Sequence, residues 1–109
     1  MGFPALRERL MTNVWTHGTW TVKPGREEQF VDEWRAMVRD VSAEVSAARP
    51  PTLLRDHDRR NVFVSFGPWE DLDTVARFRS SAAFHRHMNA MGELLESFDA
   101  QTLDEVIGG

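Results

Sequence analysis

Two stretches of this chain repeat one pattern, a β-rich run stopped at a sharp corner and followed by a helix. Thr12–Val22 is rich in Thr, Val and Trp, which strands favour, and stops at Lys23-Pro24-Gly25-Arg26. Proline suits the first turn of a helix. Phe30, Trp34, Met37, Val38, Val41 and Val45 then recur at helical spacing, with acids and arginines opposite. That stripe predicts a helix to about Ala47, packed on a sheet. Asn61–Gly67 reads as a second strong strand and ends in Pro68-Trp69-Glu70-Asp71 before further helix.

The segments between complete the order. Arg49-Pro50-Pro51 breaks the first helix, because proline cannot continue it. Thr52–Arg55 reads as a short strand, and the polar turn Asp56–Arg60 leads back into Asn61–Gly67 as a hairpin. Asp71–Phe78 is predicted as a short helix with Leu72, Val75 and Phe78 inward. Ser80 or Ser81 can cap the next helix, which carries Phe84, Met88, Met91, Leu94 and Leu95. Ala100–Ile107 reads as the last strand. The order βα-ββ-αβ is the split βαβ pattern of an α+β, ferredoxin-like fold. It implies a four-stranded antiparallel sheet with its helices on one face. The other face, with Trp15 beside His17 and Thr19, is also apolar, and a sheet with two apolar faces must bury both. A second copy packed sheet to sheet would do so, so a homodimer is expected.

Composition narrows the function. The 109 residues suffice for one domain, read as residues 12–109 behind an N-terminal extension over 1–11 with a short helix across Ala5–Met11. A net charge of -4 argues against nucleic acid or an anionic membrane surface as partner. The absence of Cys removes disulfides, thiolate catalysis and Cys-ligated metal sites. No apolar run approaches the ~20 residues that span a bilayer. The first residues lack the apolar core of a signal peptide, and Leu6 stands where myristoylation needs Ser or Thr, so a cytoplasmic location is expected. Four Trp and seven Phe exceed what one small core needs, so some of them should line an interface or a ligand cavity.

A strand, a Lys-Pro-Gly corner and a helix, then a strand closed by Trp69-Glu70 and a helix, resembles the antibiotic biosynthesis monooxygenase family. The resemblance runs from Asn13 to Ile107 and implies a dimeric α+β barrel. Characterised aromatic-polyketide oxygenases of that family use a Trp at the position of Trp69, together with an Asn four residues earlier, where this chain has Ser65. By the same resemblance the Gly18–Trp20 face of the first strand should look toward the helices and line the cavity. Haem-degrading enzymes share the fold, but Gly18, Phe78 and Met88 stand where they carry Asn, Trp and an axial His.

The residues themselves nominate a base. In Ser81–Met88, at about 100° per residue, His87 falls inside the stripe of Phe84, Met88, Met91, Leu94 and Leu95, with His85 at its border. Burial favours neutral imidazole, a competent general base near pH 7. His87, or else His85, is therefore the candidate base; the alternative is a core His satisfied by hydrogen bonding. Gly18, interior to a strand, suggests close approach by backbone or ligand. Trp20, Phe66, Phe78, Met88 and Met91 are candidate walls, and Ser65 and Trp69 candidate hydrogen-bond donors. No metal site is expected, since His85 and His87 are two apart on a helix and diverge. Nor does any flavin or phosphate-binding loop show itself, so no cofactor is expected. The expected activity is a cofactor-independent monooxygenase acting with O2 on a phenol, quinol or anthrone-type aromatic. The alternatives are a non-catalytic or stress-related barrel binding a small apolar molecule and, less favoured, a haem-degrading monooxygenase.

Overall fold

The computed structural model describes residues 14–47 and 49–108. The expected N-terminal extension, with its short helix, and the first two residues of the first predicted strand lie outside them. The chain runs β1 (Val14–Val22), α1 (Glu27–Glu44), β2 (Thr52–Arg55), β3 (Val62–Trp69), α2 (Leu72–Ser80), α3 (Ala82–Met91) and β4 (Leu95–Asp104). The four strands form one antiparallel sheet in the order β2-β3-β1-β4. This is the ferredoxin-like α+β architecture.

Strand alternation sorts the two faces. Val14, Gly18, Trp20 and Val22 of β1 are buried against the helices, whereas Trp15, His17 and Thr19 between them are half-buried on the opposite side. Phe30, Met37 and Val41 from α1, and Ala83 and Met91 from α3, close the core over Trp20, Val22 and Phe63. Phe30 is fully buried and packs against both Trp20 and Phe63, at ring-centroid distances of 5.3 and 4.9 Å.

Several boundaries differ from the sequence expectation. α1 stops at Glu44 because Val45 turns to an extended backbone and packs with Val14, Trp69 and Val75 in a second cluster. β3 runs on through Pro68 to Trp69, pairing with β1 where β2 no longer lies alongside, and an edge of that kind tolerates proline. Leu72 does not face inward; it is 61% exposed. The buried positions of α2 are Thr74 and Val75. Thr74 can be buried because Asp71, the helix cap, accepts both its backbone N–H and its hydroxyl at 2.8 and 2.7 Å.

Ser81, rather than Ser80, caps α3 by accepting the Phe84 N–H at 3.2 Å. Leu94 and Leu95 are not part of that helix, which ends at Met91, and Leu95 opens β4. The last strand thus begins five residues before the expected Ala100 and ends before Val106 and Ile107, both largely exposed. Glu96, Ser97, Asp99 and Ala100 are weak strand formers, but β4 is held by its full-length pairing with β1 and by Phe98 stacked on Trp20 at 4.0 Å.

Candidate active site

A cavity of about 90 Å³ opens between the helix layer and the sheet. Its floor comes from facing positions of β1 and β3, where Gly18 lies opposite Ser65 and Thr16 opposite Gly67. Hydroxyl and glycine alternate across the two strands, which leaves room above the sheet while keeping two polar atoms in it. Gly18 has a steric role as well, because a Cβ there would lie 3.0 Å from both Ser65 Oγ and Trp20 Nε1. The close approach expected at Gly18 is thus made by neighbouring side chains.

Both hydroxyls are held by indoles. Trp20 Nε1–H donates to Ser65 Oγ at 2.9 Å, and Trp69 Nε1–H donates to Thr16 Oγ1 at 2.8 Å. Each hydroxyl therefore spends an acceptor lone pair on a fixed tryptophan. Among the described residues neither finds an acceptor for its own O–H, which stays free to donate into the cavity. The walls are aromatic. Trp69 stacks on Phe78 at 4.7 Å, Phe78 meets Phe84 edge-on at 4.7 Å, and Trp34 of α1 closes the helical side.

Of the residues nominated from sequence, Gly18, Trp20, Ser65, Trp69 and Phe78 come together around this cavity. Phe66 borders it, but its ring pairs with Trp15, 6.3 Å away, on the opposite sheet face. Met91 is wholly buried in the core and Met88 packs against that core; neither lines the cavity.

The histidines are not there either. His85 is exposed and touches only the edge of Phe84. His87 is buried, as its place in the stripe implied, but it points into the seam between α3 and α1 and does not line the cavity as expected. Its Nδ1 meets the Glu33 carboxylate, and its Nε2 lies 2.7 Å from Asp40 Oδ2. Arg39 and Arg86 bond the same Asp40 carboxylate, at 3.1 and 3.4 Å. Hydrogen bonding from His87, then from Arg39, lowers the Asp40 pKa from 3.8 to about 2. The cause of the misplacement is the facing helix. Glu33 and Asp40 are seven apart on α1, hence on one face, and they draw the imidazole toward them. With both α3 histidines turned away, the haem reading finds no axial ligand in this helix. No cluster of three or more His, Cys, Asp or Glu among the described residues could hold a metal ion.

Thr16 was not nominated, although its shared face with Gly18 and Trp20 was readable from strand alternation. Trp34 and Phe84 were expected only as core, because periodicity cannot distinguish a packed ring from one beside a void.

The sequence matches the family model described as antibiotic biosynthesis monooxygenase over residues 14–90, more than half of the chain. The chain belongs to the antibiotic biosynthesis monooxygenase family. Solved structures agree with the fold of this family. SnoaB, a cofactor-independent oxygenase from Streptomyces nogalater solved as a mutant, is 22% identical with a TM-score of 0.79, covering 88% of this chain and 95% of its own. A Pseudomonas aeruginosa protein is 23% identical with a TM-score of 0.76, covering 90% and 98%. One from Mycobacterium tuberculosis is 19% identical with a TM-score of 0.76, covering 87% and 96%. A comparison with curated proteins gives no match. No helix among the described residues is long and apolar enough to cross a membrane.

Proposed function

We propose that this protein is a cofactor-independent monooxygenase that oxidises a small phenol, quinol or anthrone-type aromatic with O2. The observation that carries the reading is the pair of indole-anchored hydroxyls, Ser65 and Thr16, on the floor of an aromatic cavity. Donors fixed in advance and aimed into a dry site stabilise an oxyanion without reorganising. An ionised aromatic bound there is electron-rich enough to reduce O2 itself. The stoichiometry closes without an external reductant. A ring CH2 plus O2 gives C=O plus water, and a phenol plus O2 gives a quinone plus water. The cavity's apolar walls exclude bulk water from the reactive anion. The family membership and the fold shared with an oxygenase support the reading.

Among the described residues the lining contains no carboxylate and no lysine, and its histidine, His17, turns its side chain to the opposite sheet face, so the substrate must be acidic enough to lose its proton to water at the open end. That same lack of a strong base favours, as a second reading, a barrel that binds such an aromatic without turning it over. Oxygen uptake against a panel of quinols, phenols and anthrones separates the two. Consumption with one product water per O2 supports the oxygenase, and tight binding without uptake supports the binder.

The homodimer belongs to this proposal as well. Trp15, Leu54 and Leu103 leave apolar area on the sheet face away from the helices, with Leu54 and Leu103 exposed by 52% and 44%. Among the described residues His17 Nδ1, buried on that side, has no hydrogen-bond partner. A second sheet would cover both. Small-angle scattering at micromolar concentration should give a particle of twice the 12.5 kDa chain mass, and a stable monomer would overturn this part.

A further inference from the structure

The charge around the cavity is the reverse of the charge on the chain. The protein carries 17 acidic residues against 13 lysines and arginines. Yet among the described residues the charged ones lining the cavity are two arginines, Arg49 from the α1–β2 connection and Arg79 from the last turn of α2, and no acid lines it. Among the described residues neither arginine forms an ion pair. The Arg49 guanidinium lies 5.7 Å from the centroid of the Trp15 ring, a contact that leaves its charge uncompensated. Arg49 is exposed and its guanidinium lies toward Trp15, on the sheet face away from the helices, so Arg79, half-buried, is the arginine whose charge stands where the cavity meets solvent, while the fixed hydroxyls lie on its floor.

A complement to α2's dipole would explain a basic residue in its last turn. Arg77 already supplies one, and it does not line the cavity. The size of the cavity adds a second constraint. At about 90 Å³ it is smaller than the ~150 Å³ apolar cavities known to take benzene, so it seats part of one ring and the rest of the ligand lies at the mouth.

We propose that the cavity selects an aromatic acid, a phenolic ring whose hydroxyl edge meets Ser65 and Thr16 and whose carboxylate is held by Arg79 at the open end. The inference rests on the reading of this cavity as the substrate site and adds the class of substrate. Guanidinium is the fitting group, because its planar fork matches a carboxylate and stays charged throughout. Placing the anionic handle at the rim also avoids burying it, which would be costly without a fully desolvated partner.

The probes are the hydroquinone acid gentisate and its methyl ester, which differ only in the charge at the mouth. Calorimetry and oxygen uptake would be run on each with the wild-type protein and with the Arg79→Gln variant. The acid should bind the wild type roughly 5–20-fold tighter than the ester, a preference lost in the variant and partly restored by Arg79→Lys. The preference should also shrink as salt is raised. Equal binding of acid and ester, or a preference that survives in the variant, overturns the inference while leaving the oxygenase reading intact. Binding of neither probe to the wild type, with no uptake, overturns the substrate-site reading and this inference with it.

Discussion

The cavity and the α1–α3 seam are both polar sites inside a small apolar protein, and they are built on opposite rules. In the seam every group is spent. His87 faces a carboxylate at each ring nitrogen, Asp40 accepts from His87, Arg39 and Arg86, and Glu44 accepts the Ala83 N–H at 3.2 Å. With a carboxylate at each ring nitrogen, His87 is the hub of a closed cluster that ties one helix to the other. On the cavity floor the groups are neutral, and half of their capacity is left over. Trp20 and Trp69 occupy the acceptor sides of Ser65 and Thr16 and leave the donors free. A saturated cluster has nothing to offer a ligand, whereas a half-satisfied one has. On the proposed function, the histidine serves stability and the hydroxyls serve the chemistry.

The sharpest way to break that comparison is to remove one hydroxyl. Ser65→Ala should lower turnover by about 10²–10³-fold, the usual loss when one oxyanion donor is removed. Its effect on stability should be confined to about 1 kcal/mol for the hydrogen bond lost to Trp20. Steady-state oxygen uptake, with thermal denaturation as the control, reads both quantities. If turnover is unchanged while the fold holds, Ser65 is only an anchor for Trp20.

His87→Ala should give the reverse pattern. Removing the buried ring leaves Glu33 and Asp40 without their shared partner, and truncating a buried side chain together with its contacts costs about 1–3 kcal/mol. Urea unfolding should show a loss of that order, with turnover per folded molecule unchanged. A large fall in turnover at unchanged stability would return His87 to the chemistry and undo the distinction drawn above.

Gly18→Ala tests how tightly the cavity floor is set. The added methyl would lie 3.0 Å from Ser65 Oγ and Trp20 Nε1 and 3.1 Å from Phe98 Cε1, so the Trp20–Ser65 bond must lengthen or the indole must move. Aromatic ligand affinity should fall by about 10-fold, in line with the 1–3 kcal/mol typical of overpacking. Calorimetric titration with a bound quinol checks this, and an unchanged affinity would mean that the indole yields without cost.

The contrast also explains what the sequence could and could not reveal. The order of elements was legible because Pro24-Gly25 and Pro68-Trp69 punctuate strands and helices whose apolar residues keep strict periods. β4 was misplaced because its hold on the fold lies in pairing with β1 and in the Phe98–Trp20 stack, both distant in sequence. The cavity's walls were half legible. Alternation put Gly18 and Trp20 on one face and the family resemblance turned that face to the helices, but nothing local says that an indole will fix a particular hydroxyl. His87 was correctly placed as buried and wrongly aimed, since its direction depends on a facing helix that periodicity treats separately. The missing signal was present in α1, where Glu33 and Asp40 sit two turns apart beside the apolar stripe.

The smallest expected effect concerns acid. A carboxylate whose pKa is lowered by folding stabilises the folded state above its unfolded pKa and loses that contribution as pH falls through the folded value. For Asp40 the window runs from 3.8 down to about 2, and His87 is the largest cause of the lowering, followed by Arg39. Asp56 and Asp71 are also lowered, by hydrogen bonds from the Arg59 backbone and from the Thr74 hydroxyl, so the wild-type protein carries an acid limb with several contributors. Asp40→Asn should therefore flatten this limb without abolishing it, and should lower stability at neutral pH. Combined with His87→Ala the two losses should fall short of their sum, because each variant removes the same contact. Melting temperatures of the four proteins between pH 2 and pH 7 make the measurement. Additive losses, or an acid limb as steep in Asp40→Asn as in the wild type, would show that the seam is a set of independent surface contacts rather than one closed cluster.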